Sequence, residues 1–286
     1  VSRSGRVFAS STRNEQKRQI HIVNNSNNVV IASAVRTPIG SFNGALASFR
    51  ATQLGALAVR AALERAGVSK SEIQEVILGN VLSADLGQAP ARQAVVEAGL
   101  PHSVVCTTVN KMCASGTKSI MLAAQSIQLG TNNCVIAGGF ESMTNAPYYI
   151  SKARFGYKMG DGQLVDSILR DGLVDAYNGK HMGWCAEQTA AKFGITREDQ
   201  DKYALESYRR ASEATKNGSF RNEIFSVAVP GKGETKFINE DEEPKNLKSD
   251  KVPTLKPAFL KENGTVTATN ASKLSDGAAA LVLMSE

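Results

Sequence analysis

The chain has 286 residues, 42% of them hydrophobic and 21% charged, with 33 Lys and Arg against 27 Asp and Glu for a net charge of +6. That length accommodates one large α/β domain or two smaller ones, and the composition is that of a folded globular chain. No run approaches the roughly 18 apolar residues of a membrane span. No basic run is interleaved with aromatics either, so neither a membrane nor nucleic acid is an expected partner; the moderate positive charge suits an anionic small ligand.

In chain order, the first stretch carries Arg3, Arg6, Arg13, Lys17 and Arg18 against Glu15, among many Ser and Asn. Residues 1–27 therefore read as a basic leader, the remains of a mitochondrial presequence. A strand follows from Asn28 to Val35 and stops at Arg36-Thr37-Pro38-Ile39-Gly40. Leu54, Leu57, Ala58, Ala61 and Ala62 recur at helical spacing, predicting a helix over Ala51–Ala66 with Gly67 at its left-handed end. Ser69 and Glu72 form a capping box for a short helix. A strand over Glu75–Val81, a helix over Pro90–Ala98, a strand from Val104, a helix running from Cys113 to Leu129 and a strand over Asn133–Gly139 complete an alternating series. Such alternation predicts a layered α-β-α domain around a mixed, mainly parallel sheet.

After Met143 the pattern breaks. Tyr148–Asn178 is Gly-rich and aperiodic, a polar helix spans Arg197–Lys216 behind the cap Thr196, and charged turns fill Pro230–Lys251. Residues 151–261 read as an insertion lying over a sheet domain formed by 28–150 and 262–286. The strand pattern returns over Gly264–Ser272 and Ala278–Met284.

The chemistry centres on Asn110-Lys111-Met112-Cys113-Ala114-Ser115-Gly116. Cys113 stands where a β-branched run gives way to a helix start. Amide N–H groups and the positive end of the helix dipole favour a thiolate at such a place, and the small neighbours Ala114, Ser115 and Gly116 let a substrate approach. A cysteine there can equally be a small core hydrophobe. The other cysteines, at 106, 134 and 185, show neither CxxC pairing nor metal-ligand spacing.

Cys113's segment resembles the nucleophile segment of thiolases, and the resemblance extends from about Asn28 to Glu286. It is carried by Arg36–Gly40, Gly87–Gln93, Asn110–Gly116, Gly138–Met143, His181-Met182-Gly183, Asn270-Ala271-Ser272 and Asp276–Ala280. Within the family the chain is most similar to the mitochondrial, short-chain acetoacetyl-coenzyme A branch. The resemblance implies an acyltransferase that condenses two acetyl-coenzyme A reversibly to acetoacetyl-coenzyme A and coenzyme A through an acetyl-Cys113 intermediate, with no cofactor required. A 3-ketoacyl-coenzyme A thiolase of broader chain length and a catalytically incomplete, coenzyme A-binding fragment are the alternatives.

The resemblance also implies the rest of the site. It sets His181 and Met182 against the pantetheine arm, with Met182 shortening the acyl pocket; a histidine beside glycine is otherwise commonly a loop hydrogen-bonder. Tyr208, Lys251 and Ser272 fall on coenzyme A-contacting positions, a lysine acting on phosphate as a point charge. Asn246-Leu247-Lys248 replaces an Arg-Val-Asp of the mitochondrial enzyme, leaving Lys248 to supply positive charge there. A potassium ion, if held, maps to Tyr208 and the carbonyls of Ala268, Thr269 and Ala271. Family members pair as dimers or tetramers. They also carry a second half with Gly-His-Pro and Cys-x-Gly-Gly loops, which this sequence lacks, so the 286 residues are expected to be catalytically incomplete alone.

Overall fold

The computed structural model describes residues 27–231 and 233–286, so the basic leader lies outside them up to residue 26. In chain order the first elements are β1 (Val29–Arg36), the two-residue β2 (Gly40–Ser41), α1 (Ala51–Ala66), β3 (Glu75–Gly79), α2 (Pro90–Glu97), β4 (Val105–Val109), α3 (Ser115–Gln128) and β5 (Cys134–Ser142). Gly67 takes the left-handed conformation and closes α1, and Ser69 with Glu72 caps the following short turn, as their sequence positions predict.

After β5 come the small hairpin β6 (Tyr148–Ile150) and β7 (Leu164–Asp166), then α4 (Met182–Phe193) and α5 (Arg197–Lys216). The hairpin β8 (Val227–Pro230) and β9 (Thr235–Ile238) precedes the long closing strand β10 (Ser275–Ser285). Thus Tyr148–Asn178 is less featureless than its sequence suggests, holding β6, β7 and a wide helical turn over Ile168–Leu173. Likewise β9 lies inside the stretch expected to be charged turns.

The main sheet has the order β1-β10-β5-β3-β4, with β2 on β10. It is mixed, but parallel pairing is confined to β3 with β4 and with β5. β10 is antiparallel to β1, β2 and β5, which corrects the expectation of a mainly parallel sheet. The reason is where the chain leaves and returns. It exits the sheet at Ser142 and re-enters opposite it, Asp276 pairing Ser142, so β10 must run back along β5.

Both faces of the sheet are covered. Val76, Leu78, Ile136, Ala280 and Val282 join α1 and α2 residues such as Leu54, Val59 and Val95 in one core. The alternate positions Ile77, Val135, Ala137 and Leu283 join Ala123 and Ile127 of α3 in a second. Period-two alternation between two apolar layers is why these strands read as unbroken apolar runs. Burying each such Leu, Ile or Val contributes about 1.5–3 kcal/mol. Among the described residues no helix is long and apolar enough to cross a membrane.

The stretch Gly264–Ser272 forms no strand. Its N–H groups at 265–267 are met by side chains instead: Glu187 accepts from the Thr265 and Val266 N–H groups, and Asn270 Oδ1 from Thr267 N–H, while the Val266 carbonyl accepts from Ala258 N–H. A carboxylate that reaches in from α4 takes the place of a ladder partner.

Candidate active site

Cys113 stands in a tight turn between β4 and α3, two residues before the helix begins at Ser115 rather than at its first residue. Met112 has a φ of 52°, a left-handed conformation, and the Asn110 side chain accepts from its N–H at 2.9 Å. Ser115 Oγ accepts from Lys111 N–H at 2.8 Å and donates to the Met112 carbonyl at 2.6 Å. The turn thus depends on Asn110 and the buried Ser115, and Cys113 itself is exposed. Gly79 lets it sit close to the sheet, since a Cβ there would lie 2.5 Å from the Ser115 carbonyl carbon.

Cys113 opens onto a mostly apolar cavity of about 420 Å³. Its walls are the ends of β3 and β5 with β10 (Gly79, Asn80, Gly139, Phe140, Glu141, Gly277), and Met143, Gly172 and Leu173 contribute from beyond the sheet. The carboxyl ends of parallel strands are a usual place for a ligand in such sheets.

Two charged groups line this cavity, and both have partners. Arg36 is bound to Asp241 at 2.7 and 2.9 Å and to Glu223 at 2.7 Å, which ties β1 to the segment beyond β5. Glu141 accepts from Asn80 Nδ2 at 2.7 Å and from the Val81 and Leu82 N–H groups at 2.9 and 3.2 Å. Burial pushes its carboxyl up, opposed by those donors. Asn80 Oδ1 is buried without a partner among the described residues. Sequence reasoning did not single out Asn80 or Glu141, because their bonds join β3 to β5 across a long separation in the chain.

His181 caps α4, a helix that the sequence analysis does not predict. Its Nδ1 accepts from Gly183 N–H at 2.9 Å, leaving Nε2 as the donor of the neutral ring. The ring stacks on Phe259 with centroids 4.7 Å apart. Gly183 permits the stack, since a Cβ there would meet the Phe259 ring at 2.3 Å. Met182 is exposed. Neither His181 nor Met182 is among the residues lining the cavity of Cys113, whereas Met112 and Met143 are. The helix was legible in principle from Gly194, which closes it in the left-handed conformation.

A second cleft, of about 340 Å³, gathers Tyr208 of α5 with Thr269, Ala271 and Ser272, together with Glu243 and Lys273, which sequence reasoning had passed over. Tyr208 OH donates to Glu243 at 3.0 Å; burial and this carboxylate push its phenol up to about 12, so it stays a neutral donor. Lys248 and Lys251 are exposed beside and within the turn Ser249–Thr254. Arg197 docks that turn on α5 by donating to the Val252 and Leu255 carbonyls. The Ala268 carbonyl, one of the oxygens assigned to a potassium ion, accepts instead from the Lys273 ammonium. The residues present therefore do not fit the potassium ligand set.

Residues 29–286 match the family described as Thiolase, N-terminal domain. The chain belongs to the thiolase family. This thiolase chain is 56% identical to an acetyl-CoA acetyltransferase of Schizosaccharomyces pombe, over 90% of the chain and 65% of that protein. It is 55% identical to a mitochondrial acetyl-CoA acetyltransferase of Rattus norvegicus, over 90% of the chain and 61% of that protein. A crystal structure of an Ascaris suum thiolase in complex with coenzyme A superposes with a TM-score of 0.85 at 48% identity, over 90% of this chain and 66% of that one. The thiolase chain thus spans somewhat less than two thirds of these curated relatives, some of them mitochondrial and others not so named.

Proposed function

We propose that the chain carries the nucleophile of an acetyl-CoA C-acetyltransferase. The observation that carries this reading is an exposed Cys113, held in a strained turn at the mouth of an apolar cavity walled by glycine backbone. The Cys113 thiolate attacks the carbonyl of acetyl-coenzyme A, the C–S bond to coenzyme A breaks, and the acetyl group rests on Sγ. A second acetyl-coenzyme A gives up an α-proton, its carbanion attacks the acetyl thioester, and Cys113 leaves as thiolate. Acetoacetyl-coenzyme A forms, and the proton ends on the released coenzyme A thiol. Splitting one condensation into two displacements is the use of covalent catalysis. The 48% identical thiolase crystallised with coenzyme A supports this substrate class.

Residues 151–261, with Ser272, form the coenzyme A-binding part in this reading. Tyr208 and Ser272 share one cleft, and Lys248 and Lys251 offer positive charge on the turn docked to α5. His181 and Met182 lie toward the pantetheine arm. Short-chain specificity is supported by the bulk of Met112, Met143 and Leu173 around the cavity rather than by Met182. The basic leader and the mitochondrial relatives support a mitochondrial matrix location, and the family supports a homodimer or homotetramer.

The test is acetyl transfer. Acetyl-coenzyme A labelled in the acetyl group is incubated with the protein extended to its relatives' length, and peptides are mapped after acid quenching. One thioester-linked acetyl group on the Cys113 peptide is expected, lost in Cys113→Ala. Labelling elsewhere, or none at Cys113 in active protein, would overturn the assignment.

A further inference from the structure

Tyr208, Glu243, Lys273 and the Ala268 carbonyl make a continuous chain of contacts across the second cleft. Tyr208 OH donates to Glu243 Oε1 at 3.0 Å, and Lys273 Nζ lies 3.2 Å from the same oxygen while donating to the Ala268 carbonyl. The other carboxylate oxygen of Glu243 accepts from Ser41 Oγ at 3.1 Å and Asn246 Nδ2 at 3.3 Å. Ser41 belongs to β2 of the main sheet, Tyr208 to α5, and Ala268 and Lys273 to the loop that leads into β10. One carboxylate therefore joins three parts of the molecule, and one ammonium supplies the charge opposite it.

That ammonium occupies the role an inorganic cation would take. A carboxylate and a main-chain carbonyl that meet at one point, with a phenol bound to the same carboxylate oxygen, are oxygen donors suited to a small cation, and a bound cation is commonly the largest local charge in such a site. Lysine presents a compact point charge with three donors on a flexible stem. Here two of its partners are Glu243 Oε1 and the Ala268 carbonyl. Both side chains of the pair are about a quarter to a third exposed, so water screens it in part but does not separate it.

We propose that Lys273 Nζ is this cleft's tethered cation, holding the loop Ala268–Ser272 against Glu243 and Tyr208 without a diffusible potassium ion. Tethering makes the contact intramolecular, so its occupancy does not depend on a cation's concentration in solution. The proposal concerns the charge of the cleft and stands whether or not coenzyme A binds there.

Thermal unfolding of the purified protein in potassium, sodium and tetramethylammonium chloride at equal ionic strength reads this out. The wild-type midpoints should agree to within about 1 °C, a difference well under that expected for one lost contact. Lys273→Met keeps the apolar stem and removes the charge. Its midpoint should fall by about 2–4 °C in tetramethylammonium and recover selectively in potassium, because the freed oxygens now accept a cation of that size. Lys273→Arg, which keeps the charge, should respond to salts as the wild type does. A potassium-selective rise in the wild type, or a Lys273→Met variant indifferent to potassium, overturns the proposal. Thallium(I) soaked into wild-type crystals as a potassium substitute needs no variant. Anomalous density between Tyr208 and the Ala268 carbonyl would overturn it, and its absence there is expected.

Discussion

The Asn80 side-chain amide donates to the Glu141 carboxylate at 2.7 Å, and both residues line the cavity that Cys113 opens onto. The bond ties the end of β3 to the end of β5, and two backbone N–H groups of the following turn, at Val81 and Leu82, converge on the same carboxylate. Burial is the main influence on Glu141 and holds its carboxyl above the usual range despite these donors.

A stability prediction follows with a definite sign. A carboxyl whose folded pKa is raised binds a proton more tightly in the native state. It favours folding most below its unfolded pKa of about 4.3, and that contribution is lost as pH rises through the folded value. Glu141→Gln cannot ionise. Its stability deficit relative to wild type should therefore shrink between pH 4 and pH 7, measured as the difference in urea midpoints at each pH. A gap that widens with pH would mean that the donors outweigh burial at Glu141.

A second prediction concerns thiol reactivity. Cys113 is exposed, whereas burial pushes the Cys134 thiol up to about 11, with the Glu72 charge adding to it. Burial also raises Cys106, against the lowering influence of Arg92. The thiolate is the nucleophile. Iodoacetamide near neutral pH should thus modify Cys113 first, with Cys106 and Cys134 reacting slowly and the half-buried Cys185 in between. Peptide mapping over a time course checks the order, and equal rates at Cys113 and Cys134 in folded protein would contradict it.

Glu187 carries a third. It is 3% exposed and accepts from Thr265 N–H, Val266 N–H and Thr265 Oγ1, so it fixes the start of the loop that bears Ala268 to Ser272. Glu187→Ala leaves the buried Val266 N–H and the half-buried Thr265 N–H unpaired. The expected loss is about 2–4 kcal/mol, since each unsatisfied buried group costs about 1–3 kcal/mol. The urea midpoint should fall with an unchanged slope, which separates lost stability from a change in the unfolded state. If the second cleft holds coenzyme A, Glu187→Gln should weaken its binding more than it weakens the fold.

Glu187 also shows where the sequence stops being legible. The strands β1, β3, β4 and β5 and the helices α1, α2, α3 and α5 announce themselves because each is set by its own residues: β-branched apolar runs, a left-handed Gly67, the Thr196 cap. Gly264–Ser272 carries the same β-branched signal yet forms no strand, because the Thr265 and Val266 N–H groups go to a carboxylate on α4 rather than to a neighbouring strand. The place of β10 between β1 and β5 is equally non-local, decided by where the chain re-enters the sheet. The site divides the same way. Cys113 is marked by its own turn, whereas Glu141, Glu243 and Lys273 acquire meaning only through partners far off in the chain.

The last prediction is that these 286 residues alone show no more than trace thiolysis of acetoacetyl-coenzyme A. The ground is the content of the cavity. Among the described residues that line it there is no histidine and no second cysteine, and its two charged groups, Arg36 and Glu141, are already engaged. His181 caps α4 and stacks on Phe259, away from that lining. The chemistry asks for a group to accept the α-proton and for donors placed on the developing oxyanion. Loss of one such donor alone typically lowers the rate by about a hundred- to a thousand-fold, and loss of a general base by a comparable factor. Loss of enolate absorbance would be followed for this chain beside one extended to the length of the fission-yeast relative. A rate within a few-fold of the longer protein would show that the catalytic groups all lie within these residues. Cys113 would then have to draw its base from Glu141 or His181 through a rearrangement of the turn or of α4.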